Sequence, residues 1–288
     1  MTNLMNALGF LTIIKISGKY IKSKEKISDS LVYFPLIGLF IGLALSVFYF
    51  ALNFVTPVFL SVIFMVILQI VITGGAHIDG LCDMSDGVFS GRREKSEILK
   101  IMKKSDIGVY GVLAIIFLLL LKISLVYYLA EANPSNSIFF YLVILFTPAF
   151  GRWSMVYLMG RHGNARGSSS LTSIFTEKEN KKKPTYLSTV YLFPLFITGY
   201  IASGYFLTNG AVAVFSGSLT NGPLGLFILF YLLIKAISAV VIFLLMLLFV
   251  SWFFTRRLGG ITGDIIGGTS EIMEVVFLFI NFIIFRLL

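Results

Sequence analysis

Long apolar stretches alternate with short polar segments along the 288 residues of this chain. A helix needs roughly 20 apolar residues to cross the hydrocarbon core of a bilayer. Seven stretches have or approach that length: 31–53, 57–73, 108–130, 138–160, 186–208, 223–254 and 272–288. The stretch 1–16 is shorter, and Leu4, Leu8 and Leu11 recur in it at the spacing typical of an interfacial helix. The pattern predicts an all-α fold: one polytopic integral membrane domain over residues 1–288, with about seven transmembrane helices and a short N-terminal interfacial helix.

The composition agrees with a membrane protein. Hydrophobic residues make up 57% of the chain and charged residues only 13%, whereas soluble domains carry about 25% charged residues. A water-soluble fold of this size could not bury so much apolar surface, so lipid must cover part of it. Cys82 is the single cysteine, which excludes a disulfide within the chain and a cysteine-based zinc site.

The position of the basic residues matters more than the net charge of +9. Segments 15–30, 74–107, 161–185 and 255–271 contain 19 of the 23 lysines and arginines, and the segments near 54–56, 131–137 and 209–222 contain none. The positive-inside rule puts the four basic segments in the cytoplasm. We therefore expect a multi-pass protein of the cytoplasmic (inner) membrane, with its N-terminus and active-site loops inside and its C-terminus outside. The charge then indicates the bilayer as partner, and no nucleic acid.

The acidic residues of segment 73–87 are the most informative feature. Asp79, Asp83 and Asp86 follow the spacing i, i+4, i+7, which places three carboxylates on one face of a helix. Three such charges repel unless a cation lies between them, and oxygen ligands favour a hard ion such as Mg²⁺, with Mn²⁺ as the second choice. His77 lies two residues before the first carboxylate and is a candidate for the same site. The alternative is a polar helix end with capping or solvated aspartates.

Glycines surround these carboxylates. Gly74, Gly75 and Gly80 lie in the same segment. Because glycine has no Cβ, they allow the backbone to approach a bulky ligand or another helix closely.

A second acidic, glycine-rich segment spans residues 256–274. Asp264, Glu271 and Glu274 follow the spacing i, i+7, i+10 and so share a helical face. Ionisable residues in or beside a membrane span are functional candidates, and Asp264 is the strongest of the three. Glu271 and Glu274 have an alternative, which is to pair with Lys122 or Lys235 inside the spans.

Basic side chains near the end of the fourth apolar stretch suit phosphate. They are Arg152, Arg161, His162 and Arg166. Arginine binds phosphate oxygens in bidentate fashion, although ordinary positive-inside anchoring would also explain each residue. Carboxylates, a hard metal and a basic rim at a membrane together indicate phosphate-ester or diphosphate chemistry.

The order of these motifs resembles the cobalamin synthase family, also called adenosylcobinamide-GDP ribazoletransferase. The matching positions are Gly74-Gly75-x-His77-x-Asp79-Gly80-Leu81-x-Asp83-x-x-Asp86-Gly87, Ile101-Met102, Ser105-x-x-Gly108-x-x-Gly111, Gly151-Arg152, Arg161-His162-x-x-Ala165-Arg166 and Leu258-Gly259-Gly260-x-Thr262-Gly263-Asp264. The resemblance implies a magnesium-dependent transferase of cobalamin nucleotide-loop assembly. Such an enzyme joins α-ribazole, or its 5′-phosphate, to adenosylcobinamide-GDP and releases GMP. A homo-oligomer, or association with other cobalamin assembly enzymes, is compatible with it.

The resemblance also assigns roles to residues. Asp79, Asp83, Asp86 and Asp264 are the metal candidates, and Asp83 is the first choice of general base. Asp86 and His77 are the further catalytic candidates. The substrate-binding candidates are Gly74, Gly75, Gly80, Ser105, Arg152, Arg161, His162, Arg166, Gly260 and Thr262.

Some positions depart from the family pattern. The family usually has an acidic residue, Ser and Arg where Lys104, Ser105 and Asp106 stand, so the two charges are exchanged. Two other functions remain open. A CDP-alcohol phosphotransferase would carry Ala-Arg where Cys82-Asp83 stands, and a transporter would place its carboxylates at mid-depth rather than near one membrane face.

Overall fold

A computed structural model describes residues 2–15, 28–104, 106–132, 137–167, 181–213 and 223–286, and all the helical elements named here lie in those ranges. The helices are α1 (Thr2–Leu11), α2 (Phe34–Leu52, preceded by the 3₁₀ turn Ser30–Tyr33), α3 (Val58–Thr73), α4 (Ala76–Val88), α5 (Lys95–Ile101), α6 (Val109–Glu131), α7 (Ser137–Arg161), α8 (Lys183–Ala213), α9 (Pro223–Leu258) and α10 (Gly263–Arg286). The predicted all-α fold is confirmed.

Six of these helices are long and apolar enough to cross a membrane: α2, together with its 3₁₀ turn, and α6 to α10. Helix α3 has only 16 residues and reaches the required length only together with α4, to which it makes an angle of 88°. Because of this bend, the two helices form either a broken span or a re-entrant segment, so the described residues provide six full-length spans and at most one more. The chain is therefore a multi-pass membrane protein.

The last span begins earlier than the sequence pattern predicted. Helix α10 starts at Gly263, whereas the apolar stretch starts at residue 272. The glycines of its first turns do not break the helix, because they pack against α4: a Cβ on Gly268 would lie 3.0 Å from the Cα of Leu81. Asp264 therefore lies in the first turn of a membrane helix, and Glu271 and Glu274 lie inside it.

The sharp turn between α3 and α4 is made by two glycines. Gly74 and Gly75 have φ angles of +63° and +71°, a region that residues with a Cβ rarely adopt. Their amides bond back to the carbonyls of Val71 and Ile70. A Cβ on Gly75 would meet nothing within 4 Å. These two glycines therefore have a backbone role, which is to turn the chain from α3 into α4, and their predicted substrate contacts stay predictions.

Helix α7 lies at the centre of the bundle. A Cβ on Gly38 of α2 would lie 2.5 Å from the Cα of Ala149, so the two backbones touch, as is common where small residues line membrane helix interfaces. On another side of α7, the ring of Phe150 stacks on Phe277 of α10 at 4.6 Å and meets Phe243 of α9 edge-on at 4.9 Å. Close backbone packing on one side and aromatic packing on the other fix the position of α7.

Charged side chains inside the bundle form a buried ion network. Lys122 of α6 donates hydrogen bonds to Glu271 at 2.6 Å and to Glu274 at 2.8 Å, both on α10. Glu274 also pairs with Arg152 of α7 and accepts a hydrogen bond from Gln69 of α3 at 2.6 Å. All five side chains are buried. Each of these charges would be costly in the membrane if it stood alone. Glu274 contacts a partner on each of three other helices, so this one carboxylate links four helices.

The predicted alternative for Glu271 and Glu274 is confirmed for Lys122 and is wrong for Lys235. The Lys235 amine instead donates to the Ile284 carbonyl at 3.3 Å, near the end of α10, and lies 4.6 Å from the ring centre of Tyr231. Lysine there satisfies a carbonyl at a helix C-terminus, where positive charge is favoured.

We expect Glu274→Gln to destabilise the protein strongly. The substitution keeps the shape but leaves Arg152 and Lys122 with excess buried positive charge, at a cost of about 3–5 kcal/mol. The midpoint of thermal unfolding in detergent should fall by roughly 10 °C. A thiol-reactive dye provides the measurement, because Cys82 is the only cysteine and is buried in the folded chain.

The matched control is Glu97→Gln, which removes the same charge from an exposed position on α5. Its midpoint should stay within about 1 °C of the unmodified protein. Equal midpoints for the two variants would show that the buried ion network does not hold the bundle together.

Candidate active site

The acidic helix α4 packs directly against the start of α10. A Cβ on Gly80 would lie 2.9 Å from the carbonyl oxygen of Asp264 and 3.1 Å from its Cα. One turn further along α10, a Cβ on Gly267 would lie 3.3 Å from the Cα of His77. Of the two roles predicted for Gly80, the structure therefore shows close approach of another helix. This contact brings Asp264 beside the part of α4 that carries Asp79 and Asp83.

Three carboxylates at this contact define the acidic pocket: Asp79, Asp83 and Asp264. Asp79 is exposed, and the other two are partly buried. Burial, followed by the negative charges of Asp264 and Asp79, raises the pKa of Asp83 to about 6, and the positive charge of Arg166 acts in the opposite direction. Asp83 is thus ionised at neutral pH but takes up a proton more readily than an ordinary aspartate, as a general base should.

Asp86 has a different position from the other aspartates of α4. Its two oxygens accept hydrogen bonds from the backbone amides of Gly108 at 2.7 Å and Gly111 at 2.8 Å. These amides belong to the start of α6, where a negative charge is favoured. A Cβ on Gly108 or Gly111 would overlap the carboxylate. The structure therefore gives Asp86 an anchoring role, and its predicted metal and catalytic roles stay predictions.

His77 lies on the buried side of α4, away from the acidic pocket. Its Nδ1 is 3.8 Å from Glu271 Oε1, so it borders the buried ion network. Burial, and then the positive charge of Arg152, lowers the pKa of His77, which keeps the ring neutral at physiological pH. The structure therefore places His77 beside the buried ion network, and its predicted catalytic role stays a prediction.

Arg166 and Thr262 come from two loops that meet over Asp264. Nη2 of Arg166 lies 2.9 Å from Oδ2 of Asp264. The Thr262 hydroxyl lies 3.3 Å from the same oxygen. It also accepts a hydrogen bond from the Ile265 amide at 3.2 Å, so that Thr262 caps the start of α10. These two predicted binding residues are thus placed at the pocket.

Backbone hydrogen bonds hold the two loops together. The Ala165 amide donates to the Ile261 carbonyl at 2.8 Å, and the Ile261 amide donates to the Gly163 carbonyl at 2.9 Å. Gly260 is needed there, because a Cβ would lie 2.6 Å from the Gly163 oxygen. Gly260 therefore serves the loop contact, and its predicted substrate contact stays a prediction.

The remaining basic residues do not converge on the pocket. Arg152 is fully buried and paired with Glu274, which corrects its prediction as a phosphate ligand. Arg161 is exposed, with its guanidinium 5.9 Å from the ring centre of Tyr157. His162 pairs with Ser251 at 2.6 Å, and burial followed by the charge of Arg161 lowers its pKa. Their shared place near the end of the fourth apolar stretch did not separate these positions from Arg166. Ser105 lies outside the described residues.

The acidic pocket does not form a closed metal site in the arrangement shown. In the described ranges, no three acidic, histidine or cysteine side chains are grouped closely enough to hold a metal ion. The cause is visible at each candidate: Asp86 is bound to the start of α6, and Asp264 is bound to Arg166 and Thr262. Asp79 and Asp83 remain, one turn apart on α4. The oxygen donors suit Mg²⁺ chemically, but they are not assembled around one point.

Comparison with known proteins gives matches along almost the whole chain. Residues 3–282 match the family model described as cobalamin-5-phosphate synthase. The chain is similar to the adenosylcobinamide-GDP ribazoletransferase of Thermoanaerobacter sp. (strain X514), with 32% identity over 94% of this chain and 93% of the relative. It is similar to the protein of the same name from Alkaliphilus oremlandii (strain OhILAs), with 31% identity over 96% of both chains. No solved structure matches it.

We expect Gly80→Ala to force α4 and α10 apart. The added methyl group would overlap the Asp264 backbone, which cannot move aside as a flexible side chain would. Overpacking of this kind costs about 1–3 kcal/mol, so the thermal midpoint should fall by roughly 5 °C in the Cys82 dye assay. The matched control is Gly163→Ala, because a Cβ there would meet nothing within 4 Å. A Gly80→Ala protein as stable as this control would contradict the close helix contact.

Proposed function

The chain belongs to the cobalamin-5-phosphate synthase family, and we propose that its acidic pocket joins α-ribazole, or α-ribazole 5′-phosphate, to adenosylcobinamide-GDP. The family model and the relatives cover nearly all of the chain, and the relatives are named as ribazoletransferases. The chain is accordingly a transferase. The observation that carries the assignment of the site is the contact of α4 with α10, which brings Asp83 and Asp264 together beside Arg166.

The reaction needs a base and a binding site for diphosphate. The ribose hydroxyl of ribazole attacks the phosphorus bound to cobinamide, and a new O–P bond forms. The bond between that phosphorus and the bridging oxygen breaks, and GMP leaves with the bridging oxygen. The hydroxyl proton passes to Asp83 and from there to water. A carboxyl with a pKa of about 6 is well matched to this task near neutral pH.

Arg166 is the residue we assign to the diphosphate. Its guanidinium presents a planar fork of donors that matches phosphate oxygens. Its Nε is buried and has no hydrogen-bond partner in the part of the chain that the structure describes. Among the basic residues predicted to bind phosphate, it is the one that contacts the acidic pocket.

We further propose Mg²⁺, or Mn²⁺, as the cofactor. The support is the chemistry of the donors, since Asp79, Asp83 and Asp264 offer only the carboxylate oxygens that hard ions prefer. A bound divalent ion would neutralise charge on the diphosphate oxygens. Binding of the ion through Oδ2 of Asp264 requires that oxygen to leave Arg166.

We also propose that the pocket faces the cytoplasm from the inner membrane. The basic segments support this orientation: Arg161 at the end of α7 and Arg256 and Arg257 at the end of α9 lie at the same end of the bundle as the pocket. Positive residues concentrate on the cytoplasmic side. Association with a second copy, or with other enzymes of cobalamin assembly, stays a prediction.

The direct test is incubation of the purified protein with adenosylcobinamide-GDP, ribazole phosphate and Mg²⁺. We expect release of GMP only when both substrates are present, and mass spectrometry should detect the joined product. A parallel reaction contains CDP-diacylglycerol and an alcohol. Release of CMP there, without release of GMP in the first reaction, would assign the chain to phospholipid synthesis. Substrate flux into proteoliposomes without turnover would indicate a transporter instead.

We expect Asp83→Asn to lower the transfer rate by at least about 100-fold, because general base catalysis contributes that much or more. In the unmodified protein, kcat/KM should fall as the pH drops below about 6, where Asp83 becomes protonated and can no longer accept the hydroxyl proton. Release of GMP across a pH series provides the measurement.

Glu97→Gln is the control for this prediction, since Glu97 is exposed on α5. It should keep both the rate and the pH profile. Near-normal turnover by Asp83→Asn would refute Asp83 as the base without affecting the family assignment.

A further inference from the structure

Arg166 lies among three carboxylates that repel one another. Its Nη2 pairs with Asp264 at 2.9 Å, and its positive charge also acts on Asp83 against the charges of Asp79 and Asp264. Three carboxylates so close together need a cation to remain ionised. In the arrangement shown, the guanidinium of Arg166 supplies that positive charge.

The hydrogen bonds of Arg166 are incomplete. Besides the bond to Asp264, the side chain reaches the Met102 carbonyl at 3.5 Å, the outer limit of a hydrogen bond. Its Nε is buried and unpartnered among the described residues. A buried donor without an acceptor is costly. The guanidinium is therefore not in a fully satisfied position, and an acceptor-rich ligand would improve it.

The backbone that carries Arg166 is fixed. The Arg166 amide donates to Oδ1 of Asn164 at 2.9 Å, and Nδ2 of Asn164 donates to the Gly167 carbonyl at 2.8 Å. The neighbouring Ala165 amide is bonded to Ile261 at 2.8 Å. Rotation of the long side chain alone would let the guanidinium leave Asp264, while the loop keeps its place beside α10.

We propose that Arg166 is an exchangeable counter-ion, which holds Asp264 before ligands bind and moves to the diphosphate of the nucleotide substrate when a divalent ion takes Oδ2 of Asp264. This inference rests on the proposed function and adds to it a regulation of the same site. The observation that carries it is the pair between Nη2 of Arg166 and Oδ2 of Asp264. Arg166 thereby competes with the ion until diphosphate arrives.

The exchange couples the two ligands. An ion that binds alone through Oδ2 of Asp264 must break the pair of this oxygen with Arg166. A diphosphate that binds alone must draw Arg166 away from a carboxylate that then has no counter-charge. When both bind, the ion takes the Asp264 oxygen that Arg166 has left, and the diphosphate takes the Arg166 guanidinium that Asp264 no longer holds. Their affinities therefore rise together. A complete reaction centre forms only with nucleotide and ion present.

The test uses Mn²⁺ and GDP as probes, without any corrin substrate. Binding of Mn²⁺ to the purified protein is followed by the EPR signal of the free ion. For Arg166→Gln we expect Mn²⁺ alone to bind about tenfold more tightly, because Asp264 is no longer occupied. GDP, measured at saturating Mn²⁺, should bind at least about tenfold more weakly, because the fork for its phosphates is gone. The two affinities thus change in opposite directions.

Unchanged or weaker Mn²⁺ binding by Arg166→Gln would overturn the proposal, since a structural brace or a simple phosphate ligand would not compete with the ion. Unchanged GDP binding would overturn the transfer of Arg166 to diphosphate. The control is Arg256→Gln, which removes one charge from the same end of the bundle. Arg256 is exposed over the ring of Trp252. That variant should alter both affinities by less than about twofold.

Arg166→Lys covers the case in which Arg166→Gln does not fold, as judged by the Cys82 dye assay. It keeps the charge, so Mn²⁺ affinity should stay within about twofold, while GDP binding weakens because an ammonium lacks the fork. A clear loss of Mn²⁺ affinity would overturn the proposal. The proposed function fails separately: if the unmodified protein releases no GMP from its two substrates, the reaction is wrong, whereas the Mn²⁺ measurement still decides the role of Arg166.

Discussion

The carboxylate of Glu274 is the point on which the arrangement of the helices depends. It lies inside the membrane region with no exposed surface, and its charge is balanced by Lys122 of α6 and Arg152 of α7. A shift of α10 along its axis by one residue would separate these charges in a medium that does not solvate them. The buried ion network therefore sets the height of α10. Because Asp264 is in the first turn of the same helix, it also sets the height of that carboxylate at the membrane surface.

Glycines set the distance between α10 and α4. Gly80 meets the Asp264 backbone, and Gly268 meets the backbone at Leu81. The network fixes where α10 stands along its axis, and these contacts fix how near it comes to Asp79 and Asp83. The reactive geometry is thus a product of constraints that lie partly outside the pocket.

The apolar pattern predicted the spans well, because a hydrocarbon core imposes a minimum length on every crossing. It failed at the start of α10, where glycines and the acids Glu271 and Glu274 lower the local hydropathy. Their compensation comes from Lys122 and Arg152, more than 100 residues away in sequence. Spacing along a helix cannot reveal such partners. The Gly38-x-x-x-Gly42 pair on α2 was a local signal of close packing that the pattern of spans did not use.

The site, like the spans, was predictable from the sequence only in part. Helical spacing put three aspartates on one face, but it could not show that Asp86 receives the amides of Gly108 and Gly111. Nor could it show that His77 lies on the buried face of the same helix. Arg152 lies in the apolar stretch 138–160 and pairs with Glu274 inside the bundle, whereas Arg166 lies in the basic segment that follows and pairs with Asp264 at the pocket. Partners distant in the chain separate the roles of these two arginines.

The balance of charge separates structural from reactive carboxylates in this molecule. In the buried ion network, two glutamates meet Lys122 and Arg152, and the charges are equal in number. In the acidic pocket, three aspartates share Arg166, so negative charge remains in excess. A balanced cluster shielded from water has no affinity to spare for a ligand, whereas the unbalanced and partly exposed one attracts cations and protons. The chemistry is therefore expected at the end of the bundle, where the protein has left its own carboxylates only partly neutralised.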